Sequence, residues 1–271
     1  MQKLKNRSHR PSKRLSQSFL QDKNIARKIV DALPLGNNAF ILEIGPGKGI
    51  LTEFLVRKAT RVMVIEIDDL LARELPDRLG QPNNLEVLCQ DFLKVDLNNI
   101  FKRFDEYDKY IIGNLPYHLT SPILFKILEN ADEIHSTVFM VQKEVGQRIT
   151  SNPGKKTYGI LSVLCQVVGQ VDYLFTVPPH LFFPKPKVES AVVRLIFKHP
   201  PYKGVVDPDM FRWIVKTTFK YRRKMLRNTL SELFSETILK NITIDLTRRP
   251  ESLSVQEFKD LANQVYQILE R

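Results

Sequence analysis

Four consecutive residues, Asn114-Leu115-Pro116-Tyr117, join an amide, a stiff turn and an aromatic ring directly after the apolar run 110–113. An enzyme that alkylates the exocyclic amino group of a nucleobase faces a weak nucleophile, because the lone pair is delocalised into the ring. It must therefore hold both N–H hydrogens with acceptors, so that the lone pair turns towards the electrophile. The Asn114 side-chain oxygen can supply one acceptor and the Leu115 carbonyl the other.

The other two residues of the turn fit the same chemistry. Pro116 fixes its own φ and restricts the residue before it, so the carbonyl is held in place. Tyr117 offers a flat face on which an extruded base can stack. The four residues thus predict alkylation of a base amino group, with an ordinary turn as the alternative, since Asn and Pro are common in turns.

The elements that must position this turn are short apolar runs that alternate with helical patterns. They predict an α/β chain with a doubly wound, mostly parallel sheet. The predicted strands of this half are 39–44, 61–65, 85–88, 109–113 and 137–141. Because the carboxyl ends of parallel strands share one edge of a sheet, ligands are expected there.

Glycines at 45, 47 and 49 follow the first of these strands, in the run 43–49 that starts at Glu43. Glycine between a first strand and its helix lets a ligand approach the backbone closely. The spacing is G-x-G-x-G and differs from the G-x-G-x-x-G of dinucleotide sites. This difference disfavours a nicotinamide enzyme and suits S-adenosylmethionine, which has no pyrophosphate.

Acidic residues end the next two strands. Glu66 stands at the end of the second strand, where a carboxylate can accept both ribose hydroxyls of an adenosine. Asp91 follows the third strand and can accept from an adenine amino group, with Phe92 beside the ring. Polar groups at successive strand ends predict one cofactor pocket.

In order and spacing, the motifs 43–49, Glu66, Asp91 and 114–117 resemble those of the ribosomal RNA adenine-N6 dimethyltransferases. The resemblance covers roughly residues 14–265, and Gln17-Ser18-Phe19-Leu20 resembles the family's Q-N-F-L motif with Ser in place of Asn. Further similar blocks are 141–145, 158–163, 182–190 and 219–224. The last resembles the kasugamycin-sensitivity subfamily, which modifies two adjacent adenines near the 3′ end of small-subunit RNA.

The resemblance implies a Rossmann-like methyltransferase that uses S-adenosylmethionine and needs no metal. Phe182 or Phe183 could close on a base from the face opposite Tyr117, and the resemblance favours Phe182. The implied cofactor contacts are Gln17, Ser18, Leu20, Glu43, Gly45, Gly47, Gly49, Glu66, Ile67, Asp91, Phe92 and Asn114. The density of basic residues predicts RNA contacts at Arg222, Arg223, Lys224 and Arg227, which we expect on a helix or helix junction, because such a cluster repels itself unless it meets anions.

Charge is concentrated in two segments of the 271-residue chain, whose net charge is +11. Residues 1–20 contain six basic and no acidic residues, and residues 184–228 contain twelve basic against three acidic. This distribution favours a polyanionic partner, and RNA offers the splayed bases that the chemistry needs. We expect the partner to be small-subunit ribosomal RNA in an immature 30S particle, and the protein to be a monomer.

Hydropathy, cysteines and histidines indicate where the protein is expected to act and whether it binds a metal. There is no apolar stretch long enough to span a bilayer and no signal peptide, so no membrane association is expected. Cys89 and Cys165 lie in apolar patterns and are predicted to be core residues in a reducing, cytoplasmic protein. The five histidines lack metal-ligand spacing.

Proline density divides the second half of the chain. Strands are predicted at 171–177 and 190–198, with a stiff loop between them, and residues 199–204 are predicted to form a linker. Helices follow from about 207, from 222 to 234 and from Ser254, where Glu257 completes a capping box. We therefore predict a catalytic domain at 1–200, with a basic arm at 1–14, and a small all-helical RNA-docking domain at 201–271.

Three alternatives remain at this stage. A large-subunit methyltransferase of the erythromycin-resistance type shares the cofactor motifs, but the 222–224 cluster and the 182–190 block favour the small-subunit type. A non-catalytic RNA-binding factor is disfavoured by intact Asn114 and Glu66. A DNA adenine methyltransferase is the most distant, because nothing resembles a duplex-recognition domain.

Overall fold

A seven-stranded sheet forms the centre of the molecule, for which a computed structural model describes residues 18–270. The predicted arm 1–14 and Gln17 lie outside these residues. The seven strands of the sheet are β2 (Ala39–Ile44), β3 (Arg61–Glu66), β4 (Leu85–Cys89), β5 (Asp108–Asn114), β6 (Ser136–Gln142), β7 (Gly169–Val177) and β9 (Ser190–Phe197). Strands β1 (Phe19–Leu20) and β8 (Phe182–Phe183) form a separate two-stranded sheet.

The order of the strands in the sheet is β4-β3-β2-β5-β6-β9-β7, and β9 runs antiparallel to both of its neighbours. The chain runs outwards from β2 to β4 and then returns to β5 on the other side of β2. This reversal places a crevice at the carboxyl ends of β2 and β5, where ligands bind in such sheets. The doubly wound, mostly parallel sheet predicted from the sequence is confirmed.

Helices cover both faces of the sheet. They are α1 (Lys23–Asp31), α2 (Thr52–Leu55), α3 (Asp69–Arg78), α4 (Leu97–Arg103), α5 (Thr120–Leu128), α6 (Lys143–Ile149), α7 (Ile160–Val168), α8 (Pro208–Lys220), α9 (Leu226–Leu230), α10 (Glu236–Lys240) and α11 (Val255–Leu269). In the described part of the chain, no helix has the length and apolar character needed to cross a membrane.

The chain after 200 is helical, and α11 begins with the predicted capping box, in which Ser254 and Glu257 bond each other's backbone amides. Buried side chains of α8 and α11 belong to one apolar cluster with those of one face of the sheet. Phe211 and Phe258 are both fully buried in it. The helical segment therefore packs directly on the sheet layer.

Two expectations are wrong. The helix predicted at 222–234 is a turn at 221–224 followed by the short α9, because the amides of Leu226 and Arg227 bond the carbonyls of Arg248 and Leu246. Cys89 is exposed rather than in the core, because it ends β4, which is an edge strand. Cys165 is buried as predicted.

Candidate active site

A cavity lies at the carboxyl ends of β2, β3, β4 and β5, with β1 on its other side. Most of the predicted site residues line it, namely Ser18, Leu20, Glu43, Gly45, Gly47, Glu66, Ile67, Asp91, Phe92, Asn114, Leu115, Pro116 and Tyr117. Gly49 and Phe182 do not. Lys48, Phe19 and His118 also line the cavity, although sequence reasoning gave them no role.

The glycine loop after β2 takes a backbone that only glycine adopts easily. Gly45, Gly47 and Gly49 have φ values of 65°, 56° and 83°. A Cβ at Gly47 would lie 2.8 Å from the Phe19 ring, and one at Gly49 would lie 2.5 Å from Leu75. A Cβ at Gly45 would meet nothing within 4 Å, so a ligand has room beside this backbone.

Glu66 is a buried carboxylate that already organises the loop. Its Oε2 accepts from the Gly47 amide and its Oε1 from the Asp68 amide, both at 3.0 Å. Burial raises the pKa of Glu66 although these amides oppose the shift. Each carboxylate oxygen can accept a further hydrogen bond, so the group can hold ribose hydroxyls and fix the loop at once.

Glu43 lies beneath the loop with 1% of its surface exposed. The Thr52 hydroxyl donates to Glu43 Oε2 at 2.7 Å. Burial, with a smaller contribution from the charge of Glu66, raises the pKa of Glu43 to about 8. Glu43 therefore holds a proton at neutral pH, which reduces the repulsion between two adjacent buried carboxyl groups.

This proton makes the stability of the fold depend on pH. In the unfolded chain Glu43 titrates near 4.5, so between that pH and about 8 the folded protein holds a proton that the unfolded chain has lost. The free energy of unfolding should fall across this window by up to about 1.4 kcal/mol per pH unit. Glu43→Gln cannot titrate, so its stability relative to wild type should grow from pH 5 to pH 8. Urea unfolding of both proteins at each pH measures this, and a constant difference would contradict it.

Asp91 and Phe92 lie where β4 leaves the sheet. Asp91 caps the short 3₁₀ turn Phe92–Lys94 by accepting from the Leu93 amide at 3.0 Å. This bond uses Oδ1, and Oδ2 remains able to accept from an adenine amino group. Phe92 is 5% exposed, so the face it presents to the cavity is a fixed apolar wall.

The amide of Asn114 has a defined orientation at the end of β5. Its Nδ2 donates to the Ser18 carbonyl at 3.1 Å. The side-chain oxygen is then the group left to accept from a ligand, which is the role that the sequence predicted. The bond also explains why Ser at position 18 is compatible with the site, since the backbone oxygen is the acceptor.

Hydrogen bonds also fix Leu115 and Tyr117, the residues on either side of Pro116. The Leu115 amide donates to the Met140 carbonyl at 3.0 Å, which fixes the peptide at the end of β5. The Tyr117 hydroxyl lies 2.7 Å from Ser190 Oγ, and burial raises the pKa of Tyr117. Ser190 is fully buried on β9, so the ring of Tyr117 is anchored to the sheet at its far end.

The aromatic pair 182–183 forms β8, which pairs with β1 so that Phe183 lies opposite Phe19 and Phe182 opposite Leu20. Phe182 is 4% exposed and packs in the core, whereas Phe183 is 59% exposed. The structure thus does not bring Phe182 to the cavity, and its stacking on a base would require this loop to move. Stacking by Phe182 stays a prediction.

The basic cluster lies in and beside the turn between α8 and α9. Arg222 is ion-paired with Glu251 at 2.6 Å, Lys224 with Glu232 at 3.2 Å and Arg227 with Glu236 at 2.5 Å. Carboxylates of the protein itself therefore neutralise three of the four cations, so the density of the cluster does not by itself require an external anion. Arg223 is exposed and has no carboxylate within 4 Å in the part of the chain that the structure describes.

Taken together, the crevice, the glycine loop, the buried carboxylate on β3 and the oriented amide on β5 define a Rossmann-like methyltransferase site. A family model described as ribosomal RNA adenine dimethylase matches residues 8–267. The chain belongs to this family.

Curated relatives match almost the whole chain. A ribosomal RNA small subunit methyltransferase A of Bacteroides fragilis is 43% identical over 260 residues, covering 96% of this chain and 94% of that protein. The protein of the same name from Bacillus mycoides is 40% identical over 262 residues, covering 93% and 90%.

Solved structures share the fold. A dimethyladenosine transferase from Plasmodium falciparum has a TM-score of 0.75 at 25% identity, over 90% of this chain and 95% of that one. The 23S rRNA methyltransferase ErmE has a TM-score of 0.69 at 24% identity, over 92% and 100%.

Proposed function

We propose that this protein transfers methyl groups from S-adenosylmethionine to the N6 amino groups of two adjacent adenines near the 3′ end of small-subunit ribosomal RNA. The observation that carries this proposal is the Asn114 amide, whose nitrogen donates to the Ser18 carbonyl, so that its oxygen is left to accept from a substrate amino group. Family membership and the two curated relatives support the RNA substrate.

The cofactor residues fit S-adenosylmethionine, which supplies an electrophilic methyl group when bound. Glu66 would accept from the ribose hydroxyls, and Asp91 from the adenine amino group, beside Phe92. The open side of Gly45 leaves space for the methionine part. Lys48 is the one Lys or Arg among the described residues that line this cavity.

On the substrate side, Asn114 Oδ1 and the Leu115 carbonyl would hold the two N–H hydrogens of the target amino group. Its lone pair then points away from both acceptors, towards the cofactor. Tyr117 would stack on the ring of the adenine, with its own position fixed by Ser190. Positioning of this kind supplies most of the rate, because methyl transfer needs no general base before the bond forms.

A direct comparison of substrates tests the proposal. Purified protein, labelled S-adenosylmethionine and either immature small subunits or large subunits are incubated, and the labelled RNA is digested and analysed by mass. We expect N6,N6-dimethyladenosine at two adjacent positions of the small-subunit RNA alone. Label in large-subunit RNA would favour the macrolide-resistance type of activity instead, and absence of transfer would favour a non-catalytic assembly factor.

We propose further that the protein acts as a monomer, in the cytoplasm, on an immature small subunit, and that residues 201–271 dock on the RNA. Arg223 supports the docking of residues 201–271 on RNA, because it is exposed and has no carboxylate partner among the described residues. Arg222 and Lys224 would exchange a carboxylate for a phosphate, so their net contribution is smaller.

Removing the cluster should therefore weaken substrate binding and reduce its dependence on salt. In the variant with Arg222, Arg223 and Lys224 replaced by alanine, the slope of log affinity against log salt should fall by about 0.7–0.9 for each phosphate that the variant no longer neutralises. Cofactor affinity should not change, because the cluster does not line the cavity. Binding to immature small subunits is measured across a salt series.

Matched controls separate this effect from a general loss of charge. Alanine at Lys58, Arg78 and Arg103 removes the same number of cations, each of which is ion-paired in the sheet region. The single variant Arg223→Ala should reproduce most of the change. Unchanged slope and affinity in the triple variant would exclude this docking surface and direct the search to residues 1–20.

A further inference from the structure

Phe183 is the most exposed large apolar side chain in the described part of the protein, at 59%. It lies directly opposite Phe19 in the β1–β8 pair, and cross-strand partners project to the same face. Phe19 lines the cavity, but Phe183 does not. Phe183 therefore offers an exposed ring directly beside a residue that lines the cavity.

The loop after Phe183 is stiff and positively charged. Pro184 and Pro186 restrict the backbone, and Lys185 and Lys187 are both exposed. Neither lysine has a carboxylate within 4 Å among residues 18–270. The one acidic residue of the loop, Glu189, is paired with Lys143 at 2.7 Å.

We propose that Phe183 stacks on the nucleotide next to the adenine that occupies the cavity, and that Lys185 and Lys187 bind the adjoining phosphates. This inference rests on the proposed function, and it adds a second base-binding position outside the cavity. Stacking on an aromatic ring together with lysine–phosphate contacts is how proteins bind single-stranded RNA. A ring beside two unpaired cations suits a nucleotide better than an apolar protein segment.

The position of the ring also matters for two adjacent target adenines. A base extruded into the cavity no longer stacks on its neighbour, and Phe183 would replace that stacking for the neighbour. The ring would thus stabilise bound RNA without touching the reacting nitrogen. Loss of the ring should therefore lower the affinity for the RNA substrate and leave the rate of methyl transfer in the bound complex unchanged.

The test compares Phe183→Ala and Phe183→Tyr with wild type in methyl transfer to immature small subunits. Leu70→Ala is the control, because Leu70 is 46% exposed on α3, outside both the cavity and the segment 201–271. We expect KM for the subunits to rise about 5- to 150-fold in Phe183→Ala, as for the loss of one stacked base. The kcat at saturation, the cofactor affinity and the melting temperature should stay at the wild-type values.

Phe183→Tyr should restore KM, since the ring is retained, and Leu70→Ala should have no effect. Replacing Lys185 and Lys187 by alanine should flatten the salt dependence of binding, whereas Phe183→Ala should lower affinity at every salt concentration without changing the slope.

Several outcomes would overturn the inference. If wild type is active and Phe183→Ala has the same KM, the ring does not contact RNA, and the proposed function stays intact. A fall in kcat alone would place Phe183 on the target base and not on its neighbour. Failure of wild type itself to transfer methyl groups would instead refute the proposed function.

Discussion

Asn114→Ala should lose about 100- to 1,000-fold in the rate of methyl transfer while it still binds cofactor and RNA. The size is that expected for removing one fixed hydrogen-bonding group that aligns the reacting atom. The reason lies in the amide orientation, since Nδ2 is held by the Ser18 carbonyl and the oxygen is left for the substrate. Single-turnover transfer of labelled methyl to immature small subunits measures the rate separately from binding.

The variant Asn114→Asp separates the acceptor from the structural bond. Aspartate retains an oxygen acceptor for the substrate but cannot donate to the Ser18 carbonyl. If the acceptor is what matters, Asn114→Asp should transfer faster than Asn114→Ala. A variant Asn114→Ala that loses RNA affinity but keeps its single-turnover rate would make Asn114 a structural turn residue.

Glu66→Ala has the largest expected effect on cofactor binding. It removes the acceptor proposed for two ribose hydroxyls, together with the bonds that Glu66 accepts from the Gly47 and Asp68 amides. A hydrogen bond to a charged group contributes about 1.5–3 kcal/mol, so affinity for S-adenosylmethionine should fall by at least about 10-fold. Isothermal titration calorimetry measures the dissociation constant.

Two further variants make the Glu66 result specific. Glu66→Gln keeps one acceptor oxygen and should bind the cofactor more tightly than Glu66→Ala. Glu86→Ala removes an exposed carboxylate on β4 that is paired with Arg103, and should leave binding unchanged. Wild-type affinity in a folded Glu66→Ala protein would refute the assignment of this residue to the cofactor.

Local pattern was enough to predict most of the sheet. Strand β2 has the predicted bounds, and β3, β4, β5 and β6 differ from the predicted ranges by one residue at one or both ends. Strands β2, β3, β5 and β6 are mostly buried, and each appears in the sequence as a mainly apolar run. The glycines, Glu66 and Asp91 follow the strand ends directly, so the sheet itself brings them together.

Pairings between distant parts of the chain could not be read in this way. The pairing of β1 with β8 joins two-residue segments more than 160 positions apart, which have no periodicity of their own. This pairing decides which of Phe182 and Phe183 is buried. The carboxylates that neutralise Arg222, Lys224 and Arg227 also come from later in the chain, so charge counting along the sequence missed them.

For Asn114, the sequence predicted the chemical role of the side chain but not the orientation of its amide. The residue type and its place after a strand predicted an acceptor for an amino group. The bond to the Ser18 carbonyl, which leaves the oxygen for the substrate, spans 96 positions and required the structure. The same holds for the bond from Tyr117 to Ser190, which are 73 positions apart.

Mass analysis of ribosomal RNA from a strain that lacks this protein tests the central claim most directly. We predict that the strain loses N6,N6-dimethyladenosine at two adjacent positions near the 3′ end of small-subunit RNA. The wild-type gene should restore both modifications, and the Asn114→Ala gene should restore neither. Dimethylation that persists without the protein, or that Asn114→Ala restores in full, would contradict the account.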